Sequence, residues 1–309
     1  LRLVFLGSGV FAIPCFEALL AAGHEVAALV TQPDKEKGRG RELAPPPLKP
    51  VAVAHGVPVL QPRRVREPEA LASLQALAPR LQVVVAYGQI LPRAVLDVAP
   101  LGTINVHASL LPRYRGAAPI QWAIARGETE TGVTTMRLDE GLDTGPLLLA
   151  RSTPIGGEET AAELQARLAT LGAGLLLETV AGLEAGRLEP RPQDPALASL
   201  APILHKEEGR IDWSQPATTI HQRLRGFTPW PGAFTTWRGQ TLKVLRARVL
   251  ADGAGDAGRI AGTADEALVV ACGHGTRLGL LELQLEGRRR VSGVAFAAGA
   301  RPTPDARFE

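Results

Sequence analysis

Sulfur is scarce in this 309-residue chain: two cysteines, Cys15 and Cys272, and one methionine, Met136. The cysteines lie far apart with no partner at zinc-ligand spacing, which argues against a disulfide framework and a structural zinc site and favours a reducing compartment. No uncharged apolar run approaches the roughly 20 residues of a membrane span. The apolar stretch Leu3 to Phe16 resembles a signal peptide only superficially, because Gly7, Gly9 and Pro14 make it read as a strand turning into a helix. A cytoplasmic protein without membrane contact is expected. Asparagine is scarcer still, with Asn105 alone, while Arg far outnumbers Lys and prolines number 25. Such depletion fits a heat-adapted protein, although a GC-rich genome favours the same residues. Either pressure leaves the lone Asn to be explained, and it stands two positions before a histidine.

Length and composition, 45% hydrophobic and 21% charged, describe a globular protein of two domains. Leu1 to Leu6 is an apolar run of the kind buried in parallel sheets. A helical pattern over Phe11 to Ala22 and a second strand at Glu25 to Thr31 complete a βαβ unit. Strands are predicted at Leu81 to Ala86, Gly102 to Val106, Thr131 to Leu138 and Pro146 to Ala150. Helices are predicted around Pro68 to Leu77, Ala117 to Ala125 and Thr160 to Leu183. The alternation implies an α/β domain with an open, mostly parallel sheet over residues 1–189.

Pro190, Pro192 and Pro195 then mark a connector, residues 190–204. Beyond it, short alternating segments at Ala233 to Trp237, Leu242 to Leu250 and Leu278 to Leu285, separated by glycine turns, imply a small β-barrel or sandwich over 205–309. This last part has 15 Lys+Arg against 11 Asp+Glu, whereas the preceding residues carry one net negative charge. A nucleic-acid contact surface and an ordinary solvated face fit that modest excess equally well.

Gly7-Ser8-Gly9-Val10-Phe11-Ala12 fits the dinucleotide pattern G-x-G-x-x-[GA] between a strand and a helix. The strand that should end in a ribose-binding acid instead ends Val30-Thr31-Gln32-Pro33, with Asp34 displaced into a basic loop. A tight turn without a nicotinamide is therefore preferred.

Chemistry is concentrated in Gly102 to Pro112. Asn105 and His107, two apart at a strand end, emerge on one face, where ligands bind in open α/β sheets. Asp143, bracketed by Gly141 and Gly145, can be brought near by a tight loop. Singly, each has a plain structural explanation: a turn cap, a satisfied core histidine, a loop brace. Metal binding lacks a third ligand, and Ser109 lacks nucleophile-elbow glycines. Together the three suit acyl transfer to a nucleophile carried by the substrate. The Asn105 amide donates to a developing oxyanion, the protonated imidazole supplies a second donor, and the carboxylate orients the imidazole and accepts a proton.

Ile104-Asn105-Val106-His107-Ala108-Ser109-Leu110-Leu111-Pro112-Arg113-Tyr114-Arg115-Gly116-Ala117-Ala118-Pro119-Ile120 and Gly141-Leu142-Asp143-Thr144-Gly145 resemble the two signatures of the methionyl-tRNA formyltransferase family over nearly the full chain. The resemblance implies a Rossmann-like formyltransferase domain followed by an OB-like barrel. It implies transfer of formyl from 10-formyltetrahydrofolate, without a metal, to the amine of initiator methionyl-tRNA. Nothing in the sequence demands more than a monomer, and a monomer is expected. It places the catalytic trio on Asn105, His107 and Asp143. Folate contacts fall on Ser109, Leu110, Leu111 and Pro112, and the pterin wall on Tyr87, Gly88, Gln89, Ile90 and Leu91. The basic insertion Thr31 to Glu42 resembles the loop that grips the acceptor stem, with Lys35, Lys37, Arg39 and Arg41 as phosphate contacts. Lys206 to Trp213 and Pro229 to Ala233 resemble the C-terminal signatures, with Arg223, Arg225, Lys243, Arg246 and Arg248 as tRNA-contact candidates. The alternatives are formyl transfer to another amine, such as a nucleotide sugar, and a folate- or tRNA-binding protein without turnover.

Overall fold

The structure is a computed structural model that describes residues 1–37 and 42–309. Its residues form two compact units. The first comprises Leu1–Pro119, Glu130–Thr153 and Gln165–Ala201. Its strands are β1 (Arg2–Gly7), β2 (Glu25–Val30), β3 (Lys35–Lys37), β4 (Glu42–Ala44), β5 (Val59–Leu60), β6 (Leu81–Val85), β7 (Thr103–His107), β8 (Glu130–Arg137) and β9 (Leu147–Pro154). Seven of these form one sheet in the order β5-β2-β1-β6-β7-β8-β9, while β3 and β4 make a separate antiparallel pair. Pairings from β5 through β7 are parallel, and β8 runs antiparallel to β7.

Leu3, Val4, Phe5 and Leu6 are fully buried, as a strand sandwiched on both faces requires. Val10–Ala12 forms a 3-10 turn, and only then does α1 (Ile13–Ala21) begin, with Pro14 in its first turn. A proline fits there because that N–H has no helical partner. Between the strands run α2 (Leu48–Ala54), α3 (Pro68–Ala76) and α4 (Arg93–Leu96); α5 (Pro119–Ala125) precedes β8 and α6 (Ala161–Glu184) follows β9. The 24-residue α6 is long and apolar enough to cross a membrane by length and composition alone. Yet Leu164, Leu168, Leu175, Leu176 and Val180 are all buried within the protein.

The second unit comprises Ile120–Thr129, Pro154–Leu164 and Pro202–Glu309. Besides α7 (Ala217–Gly226) and α8 (Gly293–Ala300) it contains β10 (Ala233–Trp237), β11 (Gln240–Leu250), β12 (Ile260–Ala264), β13 (Ala267–Ala271), β14 (Arg277–Leu285) and β15 (Arg290–Ser292). The order is β10-β11-β14-β13-β12 with β15 on β14, and every pairing is antiparallel. In β10 burial alternates residue by residue, the pattern of a sheet with one face on the core. That core is aromatic. Trp213 stacks on Phe308 with centroids 5.6 Å apart, and Trp237 meets Phe308 edge-on at 5.5 Å. The Trp213 indole N–H donates to Thr235 Oγ1 at 3.0 Å, so its one polar atom is satisfied inside.

Helix α7 is tied down by its charged residues. Arg225 is buried and donates from Nη1 to the carbonyls of Gly156 and Glu159, both at 3.0 Å. His221, also buried, places Nε2 3.3 Å from a Glu158 carboxylate oxygen.

Candidate active site

All five residues of β7 are buried, including the polar Thr103, Asn105 and His107. Alternation along the strand puts Asn105 and His107 on one face. Register places Met136 of β8 directly opposite Asn105. The Asn105 amide has no hydrogen-bond partner among the described residues. A donor left open in this way at a half-closed site can serve a ligand.

His107 has a protein oxygen facing each ring nitrogen, but a hydrogen bond at only one. Nε2 lies 2.9 Å from the carbonyl oxygen of Tyr114. A carbonyl only accepts, so Nε2 carries the hydrogen and Nδ1 is the ring atom left for another partner. Nδ1 faces Asp143 Oδ2 at 3.7 Å, within ion-pair range but too long for a hydrogen bond. The same Oδ2 accepts from the backbone N–H of Gly116 at 2.8 Å. Asp143 therefore reaches His107 as the loop expectation required, from a backbone in the left-handed region at φ +52°. Two glycines permit the approach. A Cβ at Gly116, whose φ is +120°, would meet the Ala201 carbonyl oxygen at 2.6 Å, and one at Gly145 would overlap the carbonyl of Arg137. The sequence reading missed Tyr114 and Gly116 as partners because both act through main-chain atoms, which have no residue-type signature.

The expected folate segments divide by position. Ser109 is fully buried; its hydroxyl donates to the Arg113 carbonyl at 2.7 Å and its own carbonyl accepts from Thr134 Oγ1 at 2.7 Å. Its side chain thus braces the loop, while Leu110 and Pro112 are half-buried and Leu111 is buried. Tyr87 is buried, its hydroxyl without a hydrogen-bond partner among the described residues, and burial pushes that phenol up to about 12. Gly88 takes φ +80°, Gln89 accepts from the Val65 N–H at 2.8 Å, Ile90 is 86% exposed and Leu91 is buried. The loop following β6 comes near the end of β8, since Leu138 packs against the buried cluster that contains Tyr87 and Leu91. Leu142, beside Asp143, is a second exposed apolar side chain.

The Gly7 to Gly9 turn is filled from within. Ser8 Oγ accepts from Thr31 Oγ1 at 3.0 Å and from the Gln32 N–H at 3.1 Å. Asp34 is held by Gln61 at 2.6 Å and by Lys49 at 2.9 Å, and these donors, Gln61 first, lower its carboxyl below the ordinary value.

Of the basic insertion, Lys35 is exposed, while Arg39 and Arg41 lie outside the described residues. Lys37 is described only as the last residue of β3. In the second unit, Arg225 is not available as a surface contact, because its guanidinium is buried on the 156–159 carbonyls. Arg223 donates to the Glu208 carbonyl and lies 4.8 Å over the Phe227 ring. Arg248 donates to the Asp265 carbonyl. Lys243 and Arg246 are exposed.

Two family models match the chain: formyl transferase over residues 1–180, and formyl transferase, C-terminal domain, over 203–301. Among characterised sequences, methionyl-tRNA formyltransferase of Solibacter usitatus is 57% identical over 304 residues, covering 98% of this chain and 97% of the relative. The enzyme of that name from Pelobacter propionicus is 55% identical, covering 96% and 92%. Among solved structures, an N-formyltransferase from Helicobacter canadensis, complexed with folinic acid and dTDP-3-aminofucose, superposes with a TM-score of 0.67. It is 17% identical, and the match covers 90% of this chain and 98% of that one. The likeness to that sugar enzyme is one of fold. With identity above one half over almost the whole length, the chain belongs to the methionyl-tRNA formyltransferase family.

Proposed function

We propose that this chain transfers a formyl group from 10-formyltetrahydrofolate to the free amino group of initiator methionyl-tRNA. The reading rests on one observation: Asp143 reaches Nδ1 of a histidine whose other nitrogen is already bonded, on the same strand face as an open asparagine amide. The donor supplies an activated one-carbon acyl group. The exposed Ile90 and Leu142, on neighbouring loops, fit it as apolar walls for a flat heterocycle, together with Leu110, Leu111 and Pro112.

In this reading Asn105 donates to the carbonyl oxygen on which charge develops, and Nδ1 of protonated His107 provides a second donor. Asp143, anchored by one oxygen to Gly116, orients the imidazole and takes the proton released by the attacking amine, directly or through water. No protein nucleophile is needed: the amine attacks the formyl carbon itself, the adduct collapses with cleavage of the bond from that carbon to N10 of the donor, and the proton given up by the amine ends on the departing N10 of tetrahydrofolate. The unit made of Leu1–Pro119, Glu130–Thr153 and Gln165–Ala201 carries this chemistry, so that most of the expected connector 190–204 belongs to it, and 205–309 form an OB-like part that helps hold tRNA. Lys35, Lys37, Arg39 and Arg41 contact its phosphates. The enzyme acts as a cytoplasmic monomer.

The test is a labelled-formyl assay in which the purified protein receives charged initiator tRNA or an amino-sugar nucleotide. Transfer to methionyl-tRNA alone is expected. Transfer only to the sugar amine would reassign the acceptor, and tRNA binding without turnover would leave a binding protein.

A further inference from the structure

Gln193 lies in the proline-punctuated stretch that the sequence marks as a connector, yet its side chain is fully engaged. Nε2 donates to the carbonyl oxygens of Asp143 at 2.8 Å and Gly145 at 2.7 Å. Oε1 accepts from Arg115, at 3.1 Å from Nε and 2.7 Å from Nη2. One amide therefore bridges the carbonyls on either side of Thr144, and a guanidinium fixes the amide.

The backbone it grips needs a grip. Asp143 sits at φ +52°, a left-handed conformation that Asp adopts more readily than most residues but that still costs energy and gains from being held. The rest of the segment is bonded to the same site. Arg191 and Leu147 exchange both backbone hydrogen bonds at 2.8 Å. Ser199 accepts at its hydroxyl from the Tyr114 N–H at 2.9 Å and at its carbonyl from the Arg115 N–H at 2.8 Å. The Ala201 N–H donates back to the Arg115 carbonyl at 2.7 Å. Residues 191–201 thus strap both the loop bearing Asp143 and the loop whose Tyr114 carbonyl and Gly116 N–H hold His107 and Asp143.

We infer that Gln193 is a positioning residue for formyl transfer, fixing with Arg115 the backbone of Asp143 and so the placement of its carboxylate against His107 Nδ1. The inference rests on the function proposed above. It adds that a connector residue, remote from the signature motifs, sets the geometry of the reacting groups. A displacement of about 1 Å at such a carboxylate costs on the order of a hundredfold in rate.

Gln193→Met retains length and bulk but removes both donors and the acceptor. The expected result is a loss in kcat of roughly tenfold to a hundredfold, with KM for both substrates nearly unchanged and faster amide hydrogen exchange confined to residues 141–146. In an Asp143→Ala background the same substitution is expected to cost nothing further, because Gln193 acts through Asp143. Gln193→Asn, which retains the amide on a side chain one methylene too short, is expected to give the same split. Unchanged kcat in an otherwise active enzyme overturns the inference, as does an equal proportional loss with and without Asp143. Should the parent protein formylate no methionyl-tRNA, the function reading fails by itself. Hydrogen exchange then still decides the strap: acceleration at 141–146 supports it and unaltered exchange overturns it.

Discussion

Gly145 and Arg137 approach so closely that a Cβ on Gly145 would overlap the Arg137 carbonyl oxygen. The glycine closes the loop carrying Asp143 back onto β8, where the Arg137 N–H donates to the Pro146 carbonyl at 2.9 Å. Gly145→Ala is expected to push that loop outward, at a cost of about 1–3 kcal/mol. Thermal unfolding should show a lowered Tm, and turnover should fall at least tenfold because Asp143 moves with the loop. An unchanged Tm would mean that the loop yields freely.

Asn105→Ala is expected to lose rate by about a hundredfold or more while donor binding is largely retained, since an oxyanion donor acts mainly in the transition state. Single-turnover rates and equilibrium titration of a folate analogue separate the two effects. Full turnover in the variant would remove Asn105 from the chemistry.

His107→Ala is expected to be comparably damaging. Because Nε2 is committed to Tyr114, the second donor to the oxyanion comes from Nδ1, and single-turnover rates should fall while binding of a folate analogue is largely retained. Full turnover in the variant would remove His107 from stabilisation of the developing charge.

Stability should depend on pH through His221. Burial lowers this imidazole below its ordinary 6.5; Glu158 opposes the shift and Arg225 adds to it. The folded state then binds fewer protons than the unfolded chain, so this contribution to stability is present above pH 6.5 and is lost as pH falls below that value toward the depressed folded pKa. Tm should decline between pH 7 and pH 5, and His221→Gln should flatten part of that decline. Parallel curves for both proteins would place the acid sensitivity elsewhere.

The parallel sheet was legible because burial on both faces forces predominantly apolar runs, as at Leu3 to Leu6 and, broken only by Gln82, at Leu81 to Val85. The two-residue β5 and the β3–β4 pair are too short to impose a period, and α7 and α8 were hidden among strand-like segments. At the site, Asn105 and His107 follow from the period of one strand. The reach of Asp143 depends on a left-handed backbone and on two close approaches that no side-chain pattern displays. Gln193 was obscured by its neighbours, since Pro192 and Pro195 mark a connector whatever the intervening amide touches. Arg225 shows the converse error: a cation in a basic domain looks available until its buried carbonyl partners are seen.

The Ser8 hydroxyl oxygen accepts from Thr31 and from the Gln32 N–H, so the single side chain between Gly7 and Gly9 moors the first turn of the sheet to the residues that follow β2. A change at Thr31 or Gln32 would therefore be felt at the far end of β1, two strand tips acting as one hinge.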